Sequence, residues 1–172
     1  MTEANATNSI GVVKLRLRLP EEALRRHREA VRIAQQIGDR STLIVALRNI
    51  GNVYRELERH DEATESHKEA LALSRETHSK ALETEILDEL GRTQYRLGRF
   101  QEAYANHQLA LAAGRQIGNA YQIAQAQSGM AAAAGALRRT DEARRLWTES
   151  LEYFAVHGRS EADEIRRCLA AL

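Results

Sequence analysis

Three histidines, His27, His67 and His107, stand 40 residues apart. Imidazole is a common metal ligand, so such a ladder first raises the question of a metal site. Ligands of one ion must converge to about 2 Å from it, whereas equivalent positions on stacked helices lie about 10 Å apart. The three histidines therefore read as half-buried side chains, each filling an aromatic's slot between helices, and no metal is expected. Cys168 stands among Leu169 and Leu172 and reads as a small apolar packing residue. Asn5-Ala6-Thr7 matches the glycosylation acceptor pattern, but it falls on an expected helix with no secretory leader before it and reads as accidental. No phosphate loop, His-Glu-x-x-His, nucleophile elbow or dinucleotide fingerprint occurs. Neither catalysis nor a cofactor is expected.

Composition bounds what could position these residues. The chain has 172 residues, 43% hydrophobic but only 5% aromatic, with one proline. Its apolar content is mostly Ala, Leu and Ile, which favours helix over sheet. Net charge is +1, which excludes a nucleic-acid binder driven by bulk charge. A single cysteine excludes a disulfide framework and fits a reducing compartment. No basic-then-apolar leader and no 18-residue apolar run occur, so the reading is a cytoplasmic chain without membrane contact.

The chain aligns with itself at a shift of 40 residues without gaps. Glu22-Ala23 returns as Glu62-Ala63, Glu102-Ala103 and Glu142-Ala143, and Trp147 takes the histidine position in the fourth copy. Ala30, Ala70, Ala110 and Ser150 follow. A small-residue step recurs at Gly11, Gly51, Gly91 and Ala131, after Ile10, Ile50, Leu90 and Met130. Within each period the apolar residues fall three and four apart, so each copy holds two amphipathic helices.

Breaks follow from capping chemistry. Gly38-Asp39, His78-Ser79, Gly118-Asn119 and Gly158 end one helix and open the next. Pro20 suits a first helical position, and the acids of Asp61-Glu62 and Asp141-Glu142 suit a first turn. Helices are expected near 3–18, 21–37, 41–58, 61–77, 80–98, 101–117, 120–138 and 141–156, with a ninth over about 161–171, opened by Ser160 with Asp163 three residues on. No pair can bury its apolar face alone, so the pairs must stack. The expected fold class is all-α: a right-handed α-solenoid of four helix pairs plus a C-terminal capping helix, the units falling near 3–37, 41–77, 80–117 and 120–156 of one array over 1–172, with the cap over about 160–171.

These residues resemble the tetratricopeptide repeat (TPR) family over essentially the whole chain. The resemblance is carried by Leu47, Ile50-Gly51 and Tyr54 in a first helix and by Ala63, His67 and Ala70 in a second, and again by Leu87, Leu90-Gly91, Ala103, His107 and Ala110. The period is 40 rather than the family's 34, histidine replaces the usual aromatic, and the closing proline is missing. The longer form is similar to repeats of kinesin light chain and the Leu-Gly-Asn-enriched polarity proteins. It is also similar to the tails of actinobacterial signalling ATPases and transcription regulators, on the phrase Leu97-Gly98-Arg99-Phe100-Gln101-Glu102-Ala103 and on 22 Arg against 3 Lys.

The resemblance implies a concave groove lined by first helices, binding a peptide or partner helix. Helical spacing assigns to it Asn8 in the first copy; Arg48, Asn49, Asn52 and Arg55 in the second; Asp88, Glu89, Arg92 and Arg96 in the third; and Gln125 and Ser128 in the fourth. The resemblance gives Asn8, Asn49 and Asn52 the task of holding a peptide backbone, while the arginines can grip carboxylates with two parallel hydrogen bonds. Local charge alternates, +4 over 1–60, −3 over 61–100, +2 over 101–140 and −2 over 141–172. That pattern suits register selection against a protein better than phosphate tracking, so direct nucleic-acid contact is the weaker reading. The expected function is a non-catalytic interaction scaffold, cut from a larger bacterial signalling or transcription regulator. The competing expectation is self-association through end helices, where Ile10, Val12, Val13, Leu15, Leu17 and Leu19 offer apolar surface.

Overall fold

A computed structural model describes residues 2–172. Among the described residues there are nine helices and no strand: α1 Glu3–Arg16, α2 Pro20–Ile37, α3 Arg40–Glu56, α4 His60–Glu76, α5 Lys80–Arg96, α6 Phe100–Gln116, α7 Ala120–Ala136, α8 Thr140–Val156 and α9 Glu161–Ala170. No helix of the described residues is long and apolar enough to cross a membrane. The fold class is all-α, built from helix pairs. Two compact units divide the chain, Met1–Leu82 and Glu83–Leu172. In the first, α1 packs on α2, α2 on α3 and α3 on α4; in the second, α6 packs on α7, α7 on α8 and α8 on α9.

Small residues let the helices approach. Ala23, Ala63, Ala103 and Ala143 are fully buried, as are Ala30, Ala70, Ala110 and Ser150. In the first unit Ala23 and Leu24 of α2 pack against Ile50, Val53 and Tyr54 of α3 and Ala63 of α4. Each fully buried Leu, Ile or Val contributes roughly 1.5–3 kcal/mol, and these contacts tie successive pairs together. The same positions on α1 are bare: Ile10, Val13 and Leu17 are 44%, 53% and 62% exposed.

The imidazoles are more deeply buried than the spacing suggests. His27 and His67 are fully enclosed and His107 nearly so. A Cβ added at Gly11 would sit 2.6 Å from the His27 ring, and one added at Gly91 would sit 2.7 Å from His107. Gly51 bears the same relation to His67, and Gly129 closes over the other side of His107. Only a glycine leaves room for a ring at that depth.

The first helices stop two residues earlier than the spacing predicts. The cause is a left-handed residue two positions past the helix: Arg18 at φ 61°, Glu58 at 58°, Gly98 at 73° and Arg138 at 62°. The residue after each one donates its N–H back to the helix, as Arg59 to the Tyr54 carbonyl at 2.9 Å and Arg139 to that of Ala134 at 2.9 Å, which satisfies orphan carbonyls. Second helices end the same way at Gly38, His78, Gly118 and Gly158. Asp39 and Asn119 then cap the next helix, accepting from the N–H of Thr42 at 3.0 Å and of Gln122 at 3.1 Å. The box expected at Ser160 does not form. Its backbone is already helical, φ −59° and ψ −27°, with no side-chain cap bond, and its hydroxyl donates instead to Glu161 Oε2 at 3.2 Å.

Four of these left-handed positions, Arg18, Glu58, His78 and Arg138, carry side chains that disfavour the conformation. Glu58→Gly and Arg138→Gly should each raise unfolding stability by about 0.5–1 kcal/mol, read as a higher urea midpoint. A lower midpoint would contradict the assignment of these turns.

Candidate binding faces and a cleft in the second unit

A buried imidazole needs a polar partner, and each ring takes it from the adjoining first helix. In the first unit His27 Nδ1 donates to Asn8 Oδ1 at 2.7 Å, and Asn49 Nδ2 donates to the same oxygen at 3.2 Å. Asn8 and Asn49 are 5% and 8% exposed. The sequence reading puts both on an open face; the structure places them inside, bonded to each other. The reason is that α1 is covered by both α2 and α3, and α3 by both α2 and α4, so the buried arc of each is wide. Asn52 is half-buried, and its Oδ1 accepts from His67 Nε2 at 3.2 Å. Arg48 and Arg55 are half-buried on the same helix.

His27 Nε2 has no hydrogen-bond partner. Burial of the ring disfavours its charged form and pushes its pKa down to about 4.

The second unit holds the corresponding charged arrangement. Asp88 on α5 is 5% exposed and does not face solvent as the sequence reading expects. Its Oδ1 meets His107 Nδ1 at 2.8 Å, and its Oδ2 accepts from Arg92 Nε and Nη2, each at 2.9 Å. Burial raises the Asp88 carboxyl pKa, but the charge of Arg92 and the bonds from His107 and Arg92 outweigh it and hold the pKa at about 2. The carboxylate in turn raises the pKa of Arg92, so this guanidinium is a fixed cation. Glu89 is half-buried and Arg96 exposed.

Gln125 and Ser128 of α7 are half-buried and, with Arg92, Gly129 and Ala132, line a cleft of about 310 Å³. Trp147 and Phe154 of α8 also line it, and α9 supplies Glu161, Glu164, Ile165 and Cys168. Gln125 Nε2 donates to the Tyr121 hydroxyl at 2.7 Å. Three of the expected residues, Arg92, Gln125 and Ser128, thus meet in one place. The α9 contribution was not foreseen, although Glu161, Glu164, Ile165 and Cys168 lie three and four apart and so share a face.

Helix pairs joined in this way, with a small residue of one helix seated against a ring of the next, define a helical-repeat protein. Residues 2–76 match the sequence profile of the Tetratricopeptide repeat family. No protein of curated function matches the sequence significantly. Among solved structures, a Rap protein complexed with competence and sporulation factor is 16% identical with a TM-score of 0.84, over 97% of this chain and 47% of that one. Aspartyl phosphate phosphatase F from Bacillus subtilis is 13% identical with a TM-score of 0.88, over 95% and 43%. A signal transduction ATPase with a tetratricopeptide repeat sensor, from Pyrococcus horikoshii, is 16% identical with a TM-score of 0.83, over 95% and 26%. The chain spans less than half the length of each of these structures, and at this identity the likeness is one of fold.

The buried His27 ring makes stability depend on pH. For His27 the folded-state pKa, about 4, lies below the ordinary value of 6.5, so the unfolded chain binds the extra proton between them. Its contribution is complete above about pH 6.5 and falls as pH drops toward 4. Asp88 adds a second loss as pH falls from 3.8 toward about 2. Urea midpoints taken from about pH 7 to 4.5 should therefore decline, with a slope of up to one proton per chain, and His27→Phe should flatten the decline. An equally steep decline in the variant would contradict the assignment.

Proposed function

We propose that the chain is a non-catalytic interaction scaffold whose first-helix faces bind a peptide segment or partner helix, as the TPR portion of a larger bacterial signalling or transcription regulator. The observation that carries this reading is how the polar residues of these faces divide. Asn8, Asn49 and Asp88 are buried, while Asn52, Arg55, Glu89, Arg92, Arg96, Gln125 and Ser128 stay half or fully exposed. The buried set serves the packing of the helices, and the more exposed set is the part of these faces that a ligand can reach. The pair of groups best suited to move a proton, His107 and Asp88, is closed to substrate, at 1% and 5% exposure, which supports a non-catalytic role. The fold likeness to a Rap protein solved with competence and sporulation factor, and to the sensor-bearing ATPase, supports a signalling context.

Peptides selected from a random library on the immobilised protein test this. A selected peptide should lose about tenfold in affinity, about 1.4 kcal/mol, on Asn52→Ala with Arg55→Ala in the first unit, or on Gln125→Ala with Ser128→Ala in the second. It should be insensitive to Lys68→Ala, whose ammonium pairs with Glu65 on the exposed side of α4. Full affinity in both groove variants would overturn the proposal.

A further inference from the structure

The cleft of the second unit has two chemically unlike walls. On the α5 side stands Arg92, the one cation among its lining residues. Asp88 holds the guanidinium through Nε and Nη2, which leaves the remaining N–H groups for a ligand. On the α9 side stand Glu161 and Glu164. The third acid of that helix, Asp163, is engaged by Arg166 at 2.6 Å and does not line the cleft. Between the walls the surface is apolar or small: Trp147, Phe154, Ile165, Gly129 and Ala132. A ligand carrying one sign of charge would meet a like charge on one wall, and such juxtaposition costs affinity.

Gln125 and Ser128 also line the cleft, and an amide and a hydroxyl there can bond a peptide backbone.

We infer that this cleft binds a short peptide carrying an acidic side chain toward α5 and a basic one toward α9, with an apolar side chain between them over Trp147 and Phe154. The inference rests on the interaction reading above and narrows it to one ligand class. Arg92 grips the carboxylate, Glu161 and Glu164 hold the cation, and α9 acts as a wall of the site as well as a cap on α8.

Trp147 is the only tryptophan of the chain and lines the cleft, so its fluorescence reports occupancy. The probes are blocked pentapeptides with a central leucine, flanked by glutamate and lysine in both orders, by two glutamines, or by two glutamates. One order of the mixed-charge peptide should bind about tenfold tighter than the glutamine peptide. Glu161→Gln with Glu164→Gln should abolish that preference. Glu161→Lys with Glu164→Lys should transfer it to the peptide with two glutamates, and an unchanged far-UV spectrum shows that α9 persists in both. Equal binding of the glutamine and mixed-charge peptides, or a preference that survives loss of both glutamates, would overturn the inference. The interaction reading would survive those results, because the peptides would still change the Trp147 emission. Silence of every probe at millimolar concentration would overturn the inference too, and the library-selected peptides would then decide the broader reading separately.

Discussion

The contact on which the rest depends is an imidazole ring pressed against a helix backbone where a side chain is missing. Gly11, Gly51 and Gly91 each leave the space that His27, His67 and His107 occupy. A packed interior tolerates little extra volume, so this contact sets both the spacing and the register of the two helices in a pair. The fourth copy solves the same problem differently: Ala131 replaces the glycine and Trp147 the imidazole, reaching instead to within 3.6 Å of a Cβ added at Gly135.

Choosing a polar ring for the slot has consequences on the ligand side. Each imidazole must hydrogen-bond, and the nearest supply is the first helix of its own pair. Asn8, Asn52 and Asp88 answer that need. An amide suffices in the first unit, but the carboxylate at Asp88 brings a charge inside that has to be compensated. Arg92 compensates it and is pinned at the edge of the cleft. Because Trp147 fills the fourth slot, α7 supplies no polar partner there and carries Ser128 and Ala132, with Gly129 small because it closes over the His107 ring, and the low wall made by these residues opens the cleft.

The repeat made most of the fold legible. Glu-Ala pairs, small-residue steps and the His positions recur at one period, and the helices they announce lie within two residues of where they were expected. What the sequence hid falls into three kinds. The left-handed turns at Arg18, Glu58 and Arg138 carry no signal, since only the third copy shows the glycine that such a turn prefers. Asn8, Asn49 and Asp88 sit where a 3.6-residue period puts an open face, but α1 is covered by α2 and α3, and α3 by α2 and α4, while the buried His107 ring claims Asp88. The α9 wall was missed because helical spacing finds which residues share a face, not which neighbour that face meets.

The central claim is that ring and glycine are one coupled unit, and a double-mutant cycle on Gly51 and His67 tests it most directly. Gly51→Ala alone should lower unfolding stability by roughly 1–3 kcal/mol, as overpacking does. In the background of His67→Ala the same change should cost far less, leaving a coupling of about 1 kcal/mol or more. Additive effects, with Gly51→Ala equally costly whether or not the ring is present, would contradict the account.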